Sequence, residues 1–389
     1  MNNNAFSWRR HQGSYLVIFG GVLLVLTGFA VLAVDVGRIF IVRAELQNVA
    51  DAAALAGANC LTRGTPTNTT DCPSTMSTNL NWNLATAKAA VQLSQNQADN
   101  RSISSTDAGH VVDNGYWNLS TNRPSGQALA TSSFLSTPPS PIGTYDKPAI
   151  RVKVSKATGQ NGGPILMLTR LMFGGNDVSM SATAVAVISS PSGVLTENLV
   201  PMAIDKCLFD TYWDSTTGAP KLADKPKLTV YSGNKTNNID QTVGQPWIFQ
   251  MGSAYSYSNC QATQWSSFAV DNKSSSYAAE LIRTGNPTPL NIGDSVYIQP
   301  GAEAGLYNKN NLMAKYPKLP ADVTVMVVDY NLTSSGRAPI YAFAAFRITA
   351  IADSPDNYLQ GSFVKSNVSS GSSGIGPFFG TYTPPRLAY

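Results

Sequence analysis

The stretch SYLVIFGGVLLVLTGFAVLAV (Ser14–Val34) runs without a break into DVGRIFIVRAELQNVADAAALAGA (Asp35–Ala58), and the two halves together decide the fold. The first half holds 21 residues with no charge, thirteen of them Leu, Ile, Val or Phe. At about −0.3 to −0.6 kcal/mol each for insertion, these contribute roughly −4 to −8 kcal/mol. About 20 residues cross a hydrocarbon core, so the length predicts one transmembrane helix over 14–34. Gly13, Gly20, Gly21 and Gly28 keep one face of it small, which lets helices approach in lipid. Upstream lie Arg9, Arg10 and His11 with no acid, which puts residues 1–13 in the cytoplasm and everything after Asp35 outside. A cleavable signal peptide is the competing reading. Against it stand the length of the apolar run and the lack of a small-x-small cleavage site before a polar region.

Past the span, Ile39, Val42, Leu46, Val49, Ala53 and Ala56 recur at steps of three and four, one face of a helix. Nothing breaks the helix before Gly57, so it is expected to run from about Ser14 to Ala56, roughly 65 Å at about 1.5 Å per residue. Ala44, Ala50, Ala52 and Ala54 flank the apolar seam. A seam so narrow and alanine-lined wants a close partner. Either Ile39, Val42, Leu46 and Val49 meet another protein, or the seam packs on its own domain.

The segment Ala33-Val34-Asp35-Val36-Gly37-Arg38, followed by Leu46-Gln47-Asn48-Val49-Ala50-Asp51-Ala52-Ala53-Ala54-Leu55-Ala56-Gly57-Ala58, resembles the N-terminal region of TadG-like proteins of the bacterial Tad/Flp pilus-assembly system. The likeness covers Gly13 to Ala58, with Val49 where alanine is more usual. It implies an inner-membrane component of a pilus-assembly machine. Prepilin-like members of such systems carry a glutamate five residues after their cleavage site. Here the fifth residue after Gly13 is Ile18, and processing into a major pilin is not expected.

Downstream, residues 62–78 read as a Thr/Pro/Asn-rich loop between Cys60 and Cys72. Leu80, Leu84, Ala87 and Val91 mark a helix over roughly 79–97. Ile150, Val152 and Val154 alternate with polar residues as a half-exposed strand, Ala182–Ile188 reads as another, and 164–173 as a short helix. This makes 35–190 a pilin-like α+β domain, the long helix laid on a small sheet. From 194 to 365 strand patterns at 227–231, 246–251, 295–299, 323–328 and 340–348, with one helix at 277–284, predict a mainly β sandwich or barrel. Residues 366–389 read as a Ser/Gly-rich linker and tail. The fold class is α+β.

Charged residues are only 13% and the net charge is +4 with no basic cluster, which disfavours a cytosolic enzyme and a nucleic-acid surface. Two histidines, His11 and His110, leave almost no material for histidine catalysis or a multi-histidine metal site. The four cysteines match no zinc or CxxC spacing. Outside the cytoplasm they pair, and chain order suggests Cys60–Cys72 and Cys207–Cys260. Asp205, Asp210 and Asp214 are a weak calcium candidate, since their spacing is not that of an EF-hand. The aromatics Trp247, Phe249, Tyr255, Tyr257, Trp265 and Phe268 read as the core of the β domain before they read as a sugar-binding surface. No P-loop and no Asp-x-Ser-x-Ser metal motif are present.

The expectation is therefore a non-enzymatic, single-pass protein of the bacterial inner membrane, needing no cofactor and no metal. Its partners are the membrane and other Tad or pilin-like proteins, with self-association a further form of contact and no nucleic acid. The alternative is a pilus-associated adhesin whose β domain binds carbohydrate or another surface ligand.

Overall fold

The computed structural model describes residues 12–64, 71–73, 80–104, 108–135, 139, 142–170, 174, 177–232, 235–257, 259–299, 301, 304–333, 336–367, 371–374 and 376–389. Helix α1 (Gln12–Cys60) runs for 49 residues without proline, about 70 Å at about 1.5 Å per residue. Helix α2 (Trp82–Ser94) is shorter than the periodicity suggests because its ends are capped inside it. The Asn81 side chain accepts from the Leu84 amide at 3.2 Å, and Asn96 Nδ2 donates to the Gln92 carbonyl at 2.6 Å. The expected helix over 164–173 does not begin there. Ile165 pairs as an isolated bridge with Val178, the helical turn opens only at Thr169, and 171–173 lie outside the described residues.

Two compact units emerge, and they are interleaved along the chain instead of following one another as 35–190 and 194–365. Unit 1 comprises residues 1–54, 89–112 and 151–184; unit 2 comprises 55–88, 113–150 and 185–389. The division falls within strands β1 (His110–Asn118), β2 (Asp146–Lys156) and β3 (Met180–Val187), each of which contributes residues to both units. In unit 1, α1 lies on the unit's share of these strands. Val152, Val154, Ala182 and Ala184 are buried there, and Gln47 Nε2 donates to the Thr183 carbonyl at 3.3 Å.

Unit 2 is built on a closed barrel. Its strands are β4 (Leu199–Asp205), β5 (Phe249–Ser253), β6 (Ala262–Trp265), β8 (Ala321–Val328), β9 (Gly336–Ala352) and β10 (Tyr358–Phe363), with β7 (Ser295–Ile298) an extra strand on the first part of β9. Hydrogen bonds run round the ring β9-β8-β4-β6-β5-β10, and β10 pairs back onto β9. Two pairings are parallel, β8 with β4 and β6 with β5; the other four are antiparallel. Closure removes the free sheet edges that would otherwise invite aggregation. Alternate residues from every ring strand, among them Met202, Met251, Trp265, Val325, Ala344 and Leu359, form one core cluster. The opposite faces of β4, β8 and β9 supply Ala203, Met326 and Phe343 to a second cluster with Leu281 of helix α4 (Ser275–Thr284). Strands buried on both faces do not alternate in sequence. The pattern at 227–232 belongs to a separate hairpin with 235–240, not to the barrel.

Helix α3 (Lys206–Tyr212) follows β4 and is joined by Cys207 to Cys260, just before β6, with Cα atoms 5.0 Å apart. Cys60, at the end of α1, is joined to Cys72 with Cα atoms 5.3 Å apart. The tail differs from expectation, because it is part of unit 2. Residues 371–373 pair antiparallel with 191–194, 366–367 pair parallel with 381–382, and Phe379, Thr381 and Tyr382 are buried. Glycine makes this possible: a Cβ on Gly374 would overlap Ser192, and one on Gly376 would lie 2.5 Å from the Pro191 carbonyl.

Candidate functional site

The first charge after the apolar span is Asp35, and its side chain is fully enclosed although it lies on the first turn beyond the span. Its two carboxylate oxygens accept from the Leu168 and Thr169 amides, each at 2.8 Å, where a helical turn opens and its first N–H groups lack partners. Burial alone would raise this carboxyl's pKa, but the Thr169 and Leu168 amides and nearby Arg38 outweigh it and hold it below the ordinary value. One turn on, Arg38 donates to Asp99 Oδ1 through Nε at 3.2 Å and Nη2 at 2.8 Å, and to the Leu166 carbonyl at 3.0 Å. The Asp35-Val36-Gly37-Arg38 segment therefore grips one loop, residues 166–169, from two sides. Leu166 and Leu168 of that loop stay exposed, adding apolar surface beside the end of the span.

A second layer fixes Asp99. Its amide donates to Glu45 Oε2 at 2.7 Å, which its left-handed backbone (φ 54°) presents to the helix. The buried Lys156 ammonium lies 3.8 Å from Asp99 Oδ2 and donates to the Asn161 carbonyl at 3.0 Å. Burial pulls the Lys156 pKa down, with Asp99 acting against it. Asp35, Arg38, Glu45 and Gln47 of α1 are thus committed inside unit 1, which orients the helix about its own axis as well as anchoring it.

The four seam residues do not form a free surface. Val42, Leu46 and Val49 are buried within unit 1 and Ile39 is half-buried, together with Ala50, Ala53 and Ala54. Of the two alternatives, packing on its own domain accounts for this burial: the small residues let α1 approach its own strands. The apolar side chains left exposed are Val36, Phe40 and Ile41, at 42%, 65% and 61%, and they continue the exposed surface of the span. Phe40 and Ile41 fall outside the three–four register and so carry no periodic signal in the sequence.

The remaining sequence candidates are accounted for by local structure. Asp205 caps α3 by accepting from the Cys207 amide at 2.7 Å, Asp210 pairs with Lys206, and Asp214 closes a turn through the Thr216 amide at 2.8 Å. Among the described residues no group of three metal-ligating side chains comes together. Of the aromatic run, Phe249, Tyr257, Trp265 and Phe268 are buried, which leaves no exposed platform; Trp247 is half-buried and only Tyr255 is exposed. His110 opens β1, and its enclosed Nδ1 has no hydrogen-bond partner among the described residues.

Helix α1 is long and apolar enough to cross a membrane, with a window of mean hydropathy 2.7. Residues 13–59 match the family described as putative Flp pilus-assembly TadE/G-like, and residues 43–186 match the family described as putative Tad-like Flp pilus-assembly. No curated protein and no solved structure matches the chain. The two matches meet on the seam and between them take in the span, both layers of the clamp and the strands beneath α1. Residues 13–186 of this chain are thus similar, first to the TadE/G-like and then to the Tad-like family of Flp pilus-assembly proteins.

Proposed function

We propose that the chain is a non-enzymatic, membrane-anchored component of a Tad/Flp pilus-assembly machine that works through protein contacts in the periplasm. Residues 1–13 lie in the cytoplasm, 14–34 cross the inner membrane, and the chain from Asp35 onward, with its two interleaved units, lies in the periplasm. The observation that carries this reading is the continuity of α1: the family-matched helix leaves the apolar span and enters the Asp35–Arg38 clamp without a break. A clamp of this kind holds a folded domain at a set distance from the bilayer, which an assembly scaffold requires. The contact face is the exposed side of α1 at Val36, Phe40 and Ile41, where a pilin-like or Tad helix can lie along span and extension together.

The test combines topology with capture. A periplasm-dependent reporter fused after Tyr389 is active, and a photo-crosslinker at Phe40 captures another pilus-assembly or pilin-like protein. A cytoplasm-dependent reporter active at the same position overturns the orientation. Capture of such a protein from Leu46 but not from Phe40 overturns the contact face.

A further inference from the structure

Unit 2 holds a partly open cavity of about 280 Å³ whose walls include Tyr116, Lys147, Ser190, Lys365, Phe378 and Tyr382. Lys147 is 4% exposed and Lys365 7%. Among the described residues neither ammonium makes an ion pair or a hydrogen bond, and the enclosed Ser190 Oγ has no partner. The two nearby carboxylates are committed elsewhere. Asp146 accepts from Asn118 at 2.8 Å, Ser125 at 2.7 Å and the Gly143 amide at 3.0 Å, and Asp210 pairs with Lys206. Two largely buried lysines that open on one cavity and, among the described residues, make no ion pair of their own leave positive charge there for an anion to answer.

We infer that this cavity binds a small organic anion, its carboxylate or phosphate held by Lys147 and Lys365 with Ser190 Oγ donating to it, and its apolar part against the Phe378 ring. The ring is a fixed wall, with its centroid 4.6 Å from that of Tyr382 and 5.8 Å from that of Trp213. Burial raises the Tyr116 phenol to about 12 and Tyr382 well above its ordinary value, so both stay protonated and able to donate. Burial pulls Lys365 down to about 8, and Lys147 likewise to about 8 against the Asp146 carboxylate, so an arriving anion favours their charged forms. The inference stands apart from the assembly role, because its residues lie in unit 2 away from α1 in sequence.

The experiment is titration calorimetry on the full chain in detergent micelles with phenyl phosphate, benzoate and inorganic phosphate. At least one aromatic anion binds, phenyl phosphate first if the group recognised is a phosphate and benzoate first if it is a carboxylate. Inorganic phosphate binds more weakly than phenyl phosphate. Lys147→Met and Lys365→Met each weaken the better probe by about tenfold or more. Methionine in place of an unpaired buried ammonium preserves the fold, checked by thermal unfolding. Should either variant fail to fold, Ser190→Ala weakens binding in the same direction by a smaller factor. Absence of binding by all three probes at millimolar concentration overturns the inference, and so does binding that these substitutions leave unchanged.

Discussion

Truncating Leu46 to alanine removes three carbons from a side chain with no exposed surface on the face that α1 turns toward the strands of unit 1. At about 0.8 kcal/mol per buried carbon the transfer loss is roughly 2.4 kcal/mol, and incomplete collapse of the space brings the total to about 3–4 kcal/mol. The neighbours on that face are Val42, Val49, Ala50 and Ala53, short side chains that cannot reach into the gap. A loss of about 3 kcal/mol raises the population of locally opened states roughly a hundredfold. Hydrogen exchange read by mass spectrometry on the full chain in micelles measures this directly. Peptides spanning 40–54 and 151–156 should exchange about a hundredfold faster, while those spanning 199–205 and 321–328 keep their protection. Ile41→Ala, on the exposed side at 61%, should change little, within about 0.5 kcal/mol. If Leu46→Ala leaves exchange at 40–54 unaltered yet removes a crosslinked species, the seam is an intermolecular surface and the packing argument fails.

Asp35→Asn should loosen the 166–169 loop above pH 4 and make little difference in strong acid. The carboxyl is held below its ordinary 3.8, so its contribution is fully present above that value and is lost as pH falls through the lower folded one; exchange of the Leu168 and Thr169 amides against pH reads this. Breaking the Cys207–Cys260 link, which closes a 53-residue separation, should destabilise unit 2 by up to about 4 kcal/mol, against about 3 kcal/mol for the 12-residue Cys60–Cys72 link. Thermal unfolding of the paired Cys→Ser variants ranks them, and a larger effect from the short loop would refute the ranking. Gly361→Ala should destabilise the barrel by about 2 kcal/mol or more, because a Cβ there would overlap the Arg347 carbonyl at the closing β9–β10 pairing; an unchanged denaturant midpoint would refute it.

The parts of this fold that show in the sequence are those with a period. Helices α1 and α4 and strand β2 carry three–four or two-residue spacing because one side of each meets polar surroundings or a single packing partner. Strand β4 gave no such signal, since Leu199 to Ile204 is buried on both faces and every position is apolar or small. Barrel closure was illegible for a different reason: β4 pairs with β8 more than a hundred residues later, and a strand pattern does not name its neighbour. The tail misled through composition, because serine and glycine serve a linker and a tightly apposed strand equally well. At the candidate site the motif residues Asp35 and Arg38 were visible, but the loop they grip lies some 130 residues downstream and carries no recognisable signature.

An unbroken α1 is also a lever. Membrane spans tilt by about 20° on average, and a helix with no hinge passes that angle on undiminished. The 20 residues from Asp35 to Ala54 rise about 30 Å, so tilting the span by about 20° sweeps the far end sideways by roughly 10 Å. Bilayer thickness, or a neighbouring helix that leans on the span, would in this way be converted into displacement well outside the lipid. With Asp35 and Arg38 locking the helix to its loop, none of that motion is absorbed at the membrane surface.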